Sequence, residues 1–93
     1  MYTVYILKCS DNTYYAGCTN DMNDRFSRHQ KGQVSYTSKR LPVAIVHQSI
    51  FIDKYKAFEF EIYLKTASGR AFANKGLYSF EDGSNPFLPA RRD

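Results

Sequence analysis

The chain has no tryptophan and only two cysteines among its 93 residues. Without tryptophan, the aromatic part of any core must come from the eight tyrosines and seven phenylalanines. Two cysteines are too few for a disulfide scaffold, and Cys9 and Cys18 do not form a C-x-x-C pair. Reduced thiols in a cytoplasmic protein are the simpler expectation. No apolar run approaches the roughly 20 residues of a membrane span. The opening Met1-Tyr2-Thr3-Val4-Tyr5 has no basic region ahead of its apolar stretch, so no signal peptide is expected. Internal repeats and low-complexity segments are also missing. What remains is one domain's worth of chain. Its apolar share of 43% and charged share of 24% are those of a folded domain and argue against disorder. A net charge of +4 admits a polyanionic partner without requiring one.

Residues 2–8 are β-branched and aromatic, which predicts a strand. Cys9-Ser10-Asp11-Asn12 supplies turn residues, and Thr13 to Cys18 predicts a second strand, closing a hairpin. Thr19-Asn20-Asp21 offers N-cap side chains for a helix running to about Lys31 and ended by Gly32. Residues 33–43 have no periodicity and read as a loop. Ala44 to Phe51 predicts a third strand, and Asp53 caps a helix from Lys54 to Thr66. A third helix is expected from Ser68 to near Tyr78. From Ser79 onward the composition shifts to a tail, with Phe87 and Leu88 as its apolar anchors. The expected division is a domain over 1–78 and a tail over 79–93. The order β-β-α-β-α-α implies a small α/β or α+β fold, with helices covering the sheet.

Two helix faces carry polar groups where a core is expected. Met22, Arg25, Phe26 and His29 stand at i, i+3, i+4 and i+7, one face of the first helix. Either the helix phase differs, or this face borders a cleft into which Arg25 and His29 project. Ala57, Phe60, Glu61 and Leu64 repeat the spacing with a carboxylate inside the stripe. A buried carboxylate is costly unless it is paired or binds a metal. A salt bridge to Arg25, a capping contact and a metal ligand all satisfy that condition. With residues 8 to 12 as the loop, Tyr5 falls opposite Tyr15. Strand tyrosines usually serve packing. Gly17 weakens its strand unless a bulge or a close backbone approach needs it.

Taken in order, Thr3-Val4-Tyr5, Tyr15-Ala16-Gly17, Arg25, His29 and Glu61 resemble the GIY-YIG nucleases, in particular small single-domain bacterial members. Thr19-Asn20-Asp21 resembles the start of that family's first helix, and Thr37 to Pro42 its loop before the third strand. Tyr63-Leu64-Lys65-Thr66 and Ser68-Gly69-Arg70 resemble its second long helix and junction. The resemblance covers residues 2–78. Thr3 stands where the first motif has Gly, and Ala16 where the second has Ile, which loosens packing under the sheet. Cys18 has no role in the pattern, and the tail matches nothing.

The resemblance implies a small, mainly antiparallel three-stranded sheet flanked by helices. It also implies a site of Tyr5, Tyr15, Arg25, His29 and Glu61, with Gly17 beside the substrate strand. Glu61 would hold one Mg²⁺ or Mn²⁺. Arg25 would bind the scissile phosphate, and Tyr5 would act as general base with His29 sharing the proton. Asn74 fills the place of an asparagine found in some branches. Arg28, Lys39, Arg40 and Arg70 suit phosphate contacts, together with Lys31, Lys54 and Lys75. The implied activity is a low-specificity endonuclease acting on nucleic acid, DNA in the first instance, with specificity supplied by DNA structure or a partner protein. A non-catalytic nucleic-acid-binding module is the alternative. A zinc site from Cys9, Cys18, His29 and His47 fits no usual spacing, and neither cysteine has the local activation of a nucleophile beyond Lys8.

Overall fold

The computed structural model describes residues 1–76. Its elements are β1 (Tyr2–Lys8), β2 (Tyr14–Thr19), α1 (Met22–Gln30), β3 (Ala44–Phe51), α2 (Lys54–Leu64) and α3 (Ala67–Gly76). The order is β-β-α-β-α-α, and the sheet runs β2-β1-β3 with both pairings antiparallel. The expected last turn of the third helix toward Tyr78, and the expected tail, lie outside the described residues. No helix among the described residues is long and apolar enough to cross a membrane.

Local chemistry accounts for the element ends. The Asp21 side chain accepts from the Asp24 N–H at 3.0 Å, capping α1. Gly32, at φ +75°, lets the chain leave that helix through the left-handed region. The Asp53 side chain accepts from the Tyr55 N–H at 2.8 Å, capping α2. Asn12 takes φ +65° in the hairpin turn, which the Cys9 N–H closes onto the Thr13 carbonyl at 2.8 Å.

β1 is the central strand and is buried on both faces, which is why its sequence reads as a nearly unbroken apolar run. On one face, Val4 and Ile6 pack with Tyr14, Ala16 and Cys18 of β2 and with Ala57, Leu64 and Ala73 of the long helices. On the other, Tyr5 and Leu7 pack with Tyr15, with Met22 and Phe26 of α1, and with Tyr36, Leu41 and Val43 of the following loop. Aromatic rings fill both layers: Tyr2 meets Phe58 edge-on at 5.9 Å, and Phe51 meets Phe60 at 5.5 Å. Gly69 lets α3 begin against α2, because a Cβ there would strike the backbone carbonyl of Tyr63 and lie 2.9 Å from the Leu64 Cα.

The hairpin register corrects one expectation. Tyr5 pairs with Gly17, and Tyr15 pairs with Leu7. The turn spans residues 9–13 rather than 8–12, so the pairing moves by two residues. An even shift keeps every side chain on its face, and both tyrosines remain in one layer. Gly17 is in regular pairing, not in a bulge. The irregularity falls instead between β1 and β3, where Ile6 pairs with His47 and Leu7 with Ile45. Val46 is the extra residue and packs into the Val4–Ile6 layer.

His47 shares a hydrogen bond with the Ser49 hydroxyl, and partial burial pushes its pKa below the ordinary histidine value. The unfolded chain therefore takes up a proton at this site before the folded one does. Stability is fully present above about pH 6.5 and falls as pH drops from there toward the lower folded-state value. A His47→Gln protein should lose less stability than the parent between neutral and mildly acidic pH. Urea midpoints across that range test it, and equal slopes for both proteins would refute it.

Candidate active site

Tyr5, His29 and Thr37 form one buried hydrogen-bonded chain. β1 carries Tyr5 into the layer beneath α1, and His29 reaches the same layer from the last turn of that helix. The Tyr5 hydroxyl lies 2.9 Å from His29 Nε2. His29 Nδ1 lies 2.7 Å from the Thr37 hydroxyl oxygen, which is 3.4 Å from the Val34 carbonyl. All three residues are fully buried.

The protons can be placed from the partners. The Val34 carbonyl can only accept, and we assign the single Thr37 hydroxyl proton to it across the 3.4 Å contact. The Thr37 oxygen then accepts from His29 Nδ1–H. His29 Nε2 is left with a lone pair facing the phenol, and Tyr5 donates to it. In this arrangement His29 Nε2 accepts the Tyr5 hydrogen bond.

Gly17 explains how Tyr5 fits. The phenol ring lies against the glycine Cα, and a Cβ on Gly17 would stand 2.5 Å from the ring Cζ and 2.9 Å from Cε1, with the hydroxyl nearer still. The close approach foreseen for this glycine is made by the chain's own tyrosine. Tyr15 closes the cluster: its ring centroid lies 5.2 Å from that of His29, 6.3 Å from Tyr5 and 6.3 Å from Tyr36. Arg25 is half-buried on α1, one turn before His29 and on the same face.

Glu61 is fully buried on α2, between Ala57 and Leu64 in the stripe that packs against Val4 and Ile6. Its Oε2 accepts from Lys65 Nζ at 3.2 Å, and both side chains are shielded. That cation was not foreseen as the partner, although Glu61 and Lys65 stand at the readable i, i+4 spacing.

A family model described as the GIY-YIG catalytic domain matches residues 1–76. The chain belongs to the GIY-YIG family. It is 42% identical over 64 residues to a UPF0213 protein of Staphylococcus aureus strain Mu3, covering 68% of this chain and 78% of that one. The same identity and coverage hold for a UPF0213 protein of strain N315. Among solved structures, the solution NMR structure of a UPF0213 protein from Bacillus halodurans is similar, with a TM-score of 0.52 and 34% identity. That match covers 81% of this chain and 82% of the other. The order and topology of the elements match the GIY-YIG fold, and a match to its catalytic domain points to nuclease chemistry.

The outlying basic residues of this GIY-YIG domain stand in different settings. Arg40 is tied into the fold: its Nε bonds Asp11 at 3.1 Å and its Nη1 the Tyr36 carbonyl at 2.8 Å. The Thr13 hydroxyl, donating to Asp11, is the main cause of that carboxyl's lowered pKa, with Arg40 adding to it. Arg28 pairs with Asp24 at 3.0 Å on the open face of α1. Lys39 is exposed. Arg70 and Asn74 lie one turn apart on α3, both half-buried, and the Arg70 Nε is a buried donor with no hydrogen-bond acceptor among the described residues. Such a donor is costly unless an acceptor meets it.

Among the described residues, no group of three or more His, Cys, Asp or Glu side chains could hold a metal by itself. The donor set therefore does not suit the zinc site weighed above. A divalent cation would have the single Glu61 carboxylate, already paired with Lys65, and would need water and substrate phosphate oxygens to complete its shell. A cysteine nucleophile is disfavoured as well. Burial is the main cause that raises the Cys9 pKa, so its thiolate is scarce near neutral pH. Thr37 is the residue that sequence reasoning missed. It belongs to a segment without periodicity, and nothing local marks it as a partner of His29.

Proposed function

We propose that this protein is an endonuclease that hydrolyses phosphodiester bonds in nucleic acid, DNA in the first instance, in the cytoplasm and with low sequence specificity. The buried hydrogen bond between the Tyr5 hydroxyl and the open lone pair of His29 carries the reading. A phenol with a pKa near 10 is a poor base at neutral pH. Handing its proton to His29 turns it into a phenolate that can take a proton from water. The water oxygen then bonds to phosphorus while the bond to the leaving sugar oxygen breaks. That oxygen collects a proton from solvent, and the Tyr5–His29 pair afterwards sheds its extra one. Arg25 binds the scissile phosphate and offsets the charge that grows on it. Tyr15 orients the phosphate or the water.

Glu61 is the residue that would hold a divalent cation, Mg²⁺ or Mn²⁺, whose chemistry is to neutralise phosphate charge as a Lewis acid. Arg70, with its unmet donor, and Asn74 beside it are assigned to the substrate backbone. Arg28 and Lys39 add charge at the surface, while Arg40 contributes mainly by holding its loop. Selection among substrates would then fall to nucleic-acid structure or a partner protein. A second reading has its own support. Lys65 already neutralises Glu61, which would let a metal-free protein bind phosphate without cutting it.

The deciding experiment uses supercoiled plasmid, single strands, flaps and structured RNA, each with Mg²⁺ or Mn²⁺ and again with EDTA. Cleavage of one class with metal and none with EDTA is expected. No cleavage of any class, together with binding that weakens as salt rises, would establish the binding module instead.

A further inference from the structure

We infer that Thr37 is a positioning residue for the proton relay, fixing the tautomer of His29 and so the direction in which the shared proton can move. The inference rests on the nuclease reading for its consequence, but not for its geometry. A hydroxyl buried in an irregular segment is costly unless it is bonded, and this one is bonded twice: to Val34 O at 3.4 Å and to His29 Nδ1 at 2.7 Å. The backbone around it is equally committed. The Thr37 N–H donates to the Val34 carbonyl at 3.1 Å, and the Thr37 carbonyl accepts from the Arg40 N–H at 2.9 Å.

Arg40 extends the brace to the hairpin. Its side chain bonds Asp11, and its carbonyl accepts from the Ser10 N–H at 2.9 Å. A loop without secondary structure of its own is thereby fastened to the β1–β2 turn, with Thr37 aimed at the far side of the imidazole. The near side faces Tyr5. Tyr5 and Tyr15 both meet the ring edge-on, at 5.7 and 5.2 Å, which limits its rotation. Only an Nδ1–H tautomer leaves Nε2 free to accept from Tyr5. Without the Thr37 oxygen, the Nε2–H tautomer competes, and it cannot take the phenol proton.

The test reads the tautomer first, from the nitrogen shifts of His29 in the ¹⁵N-labelled full chain at about pH 8, above the ordinary histidine range. Wild type is expected to show Nδ1–H with a bare Nε2. Thr37→Val, close in shape but lacking the hydroxyl, should lose part or all of that population, and Thr37→Ser should retain it. On whichever substrate the wild type cuts, Thr37→Val should lower kcat by about 10- to 10²-fold with KM nearly unchanged, and Thr37→Ser should restore it. The well-dispersed amide spectrum of each variant checks that it is folded. Any other ring state in wild type, or an unchanged His29 spectrum in Thr37→Val, overturns the inference. If the tautomer results hold while wild type cuts nothing, the nuclease reading falls and the relay with it, leaving Thr37 as a structural partner of His29.

Discussion

A Tyr5→Phe protein is expected to fold and to cleave nucleic acid at least ~10²-fold more slowly than its parent. Phenylalanine keeps the ring against Gly17 and beside Tyr15 and His29, so the packing of the layer is preserved. What is lost is one oxygen, and with it the 2.9 Å bond to His29 Nε2. The stability cost is that of a buried acceptor left unmet, about 1–3 kcal/mol. Single-turnover cleavage read beside a urea melt separates the two effects. Glu61→Gln is the companion variant. It keeps the shape of the side chain and a partner for Lys65 but removes the charge that a divalent cation needs. It should also lose cleavage by at least ~10²-fold. If Tyr5→Phe cuts at nearly the parental rate, the phenol is not the base. If Glu61→Gln does so, no cation is held there.

Gly17→Ala is expected to damage both stability and activity. The added methyl would stand 2.5 Å from the Tyr5 Cζ, well inside any real contact distance. The ring cannot swing away freely, because Tyr5 is fully buried and its neighbours are Tyr15 and His29. Overpacking of this kind costs about 1–3 kcal/mol. Any movement that relieves it draws the hydroxyl off Nε2, so the loss of cleavage should approach that of Tyr5→Phe. Gly76→Ala is the control, since a Cβ there meets nothing within 4 Å among the described residues. It should leave stability unchanged or raise it, by up to about 1 kcal/mol. A Gly17→Ala protein with parental stability and rate would show that Tyr5 has room to move, and the close pairing would lose its meaning.

Much of this domain is decided by short-range terms, and those were legible in the chain. Asp21, Asp53 and Gly32 mark helix ends because a side-chain oxygen or a left-handed backbone acts within a few residues. Apart from the end of the third helix, which lies outside the described residues, the strand and helix limits differ from expectation by only a residue or two for the same reason. Arg25, His29 and Glu61 stood out because helical spacing places them on faces that should be apolar. Burial of His29 and Glu61, and half-burial of Arg25, bear out that spacing.

Other relations depend on how distant segments close on each other. Tyr5 faces Gly17 rather than Tyr15 because the five-residue hairpin turn sits at 9–13, one position further along than 8–12, and composition alone did not distinguish the two. Lys65 and Glu61 stand at a readable i, i+4 spacing, but that both are shielded where α2 ends is a matter of packing. Arg40 reads as one more surface cation until the loop brings it to Asp11. Thr37 is the clearest case: eight residues beyond His29 and across a glycine turn, it meets the imidazole only because the loop folds back over α1. By itself the sequence determined the elements, their caps and the side chains out of place in a core. Tertiary structure decided which of them share a proton, because hydrogen bonds require sub-ångström placement that local propensity does not encode.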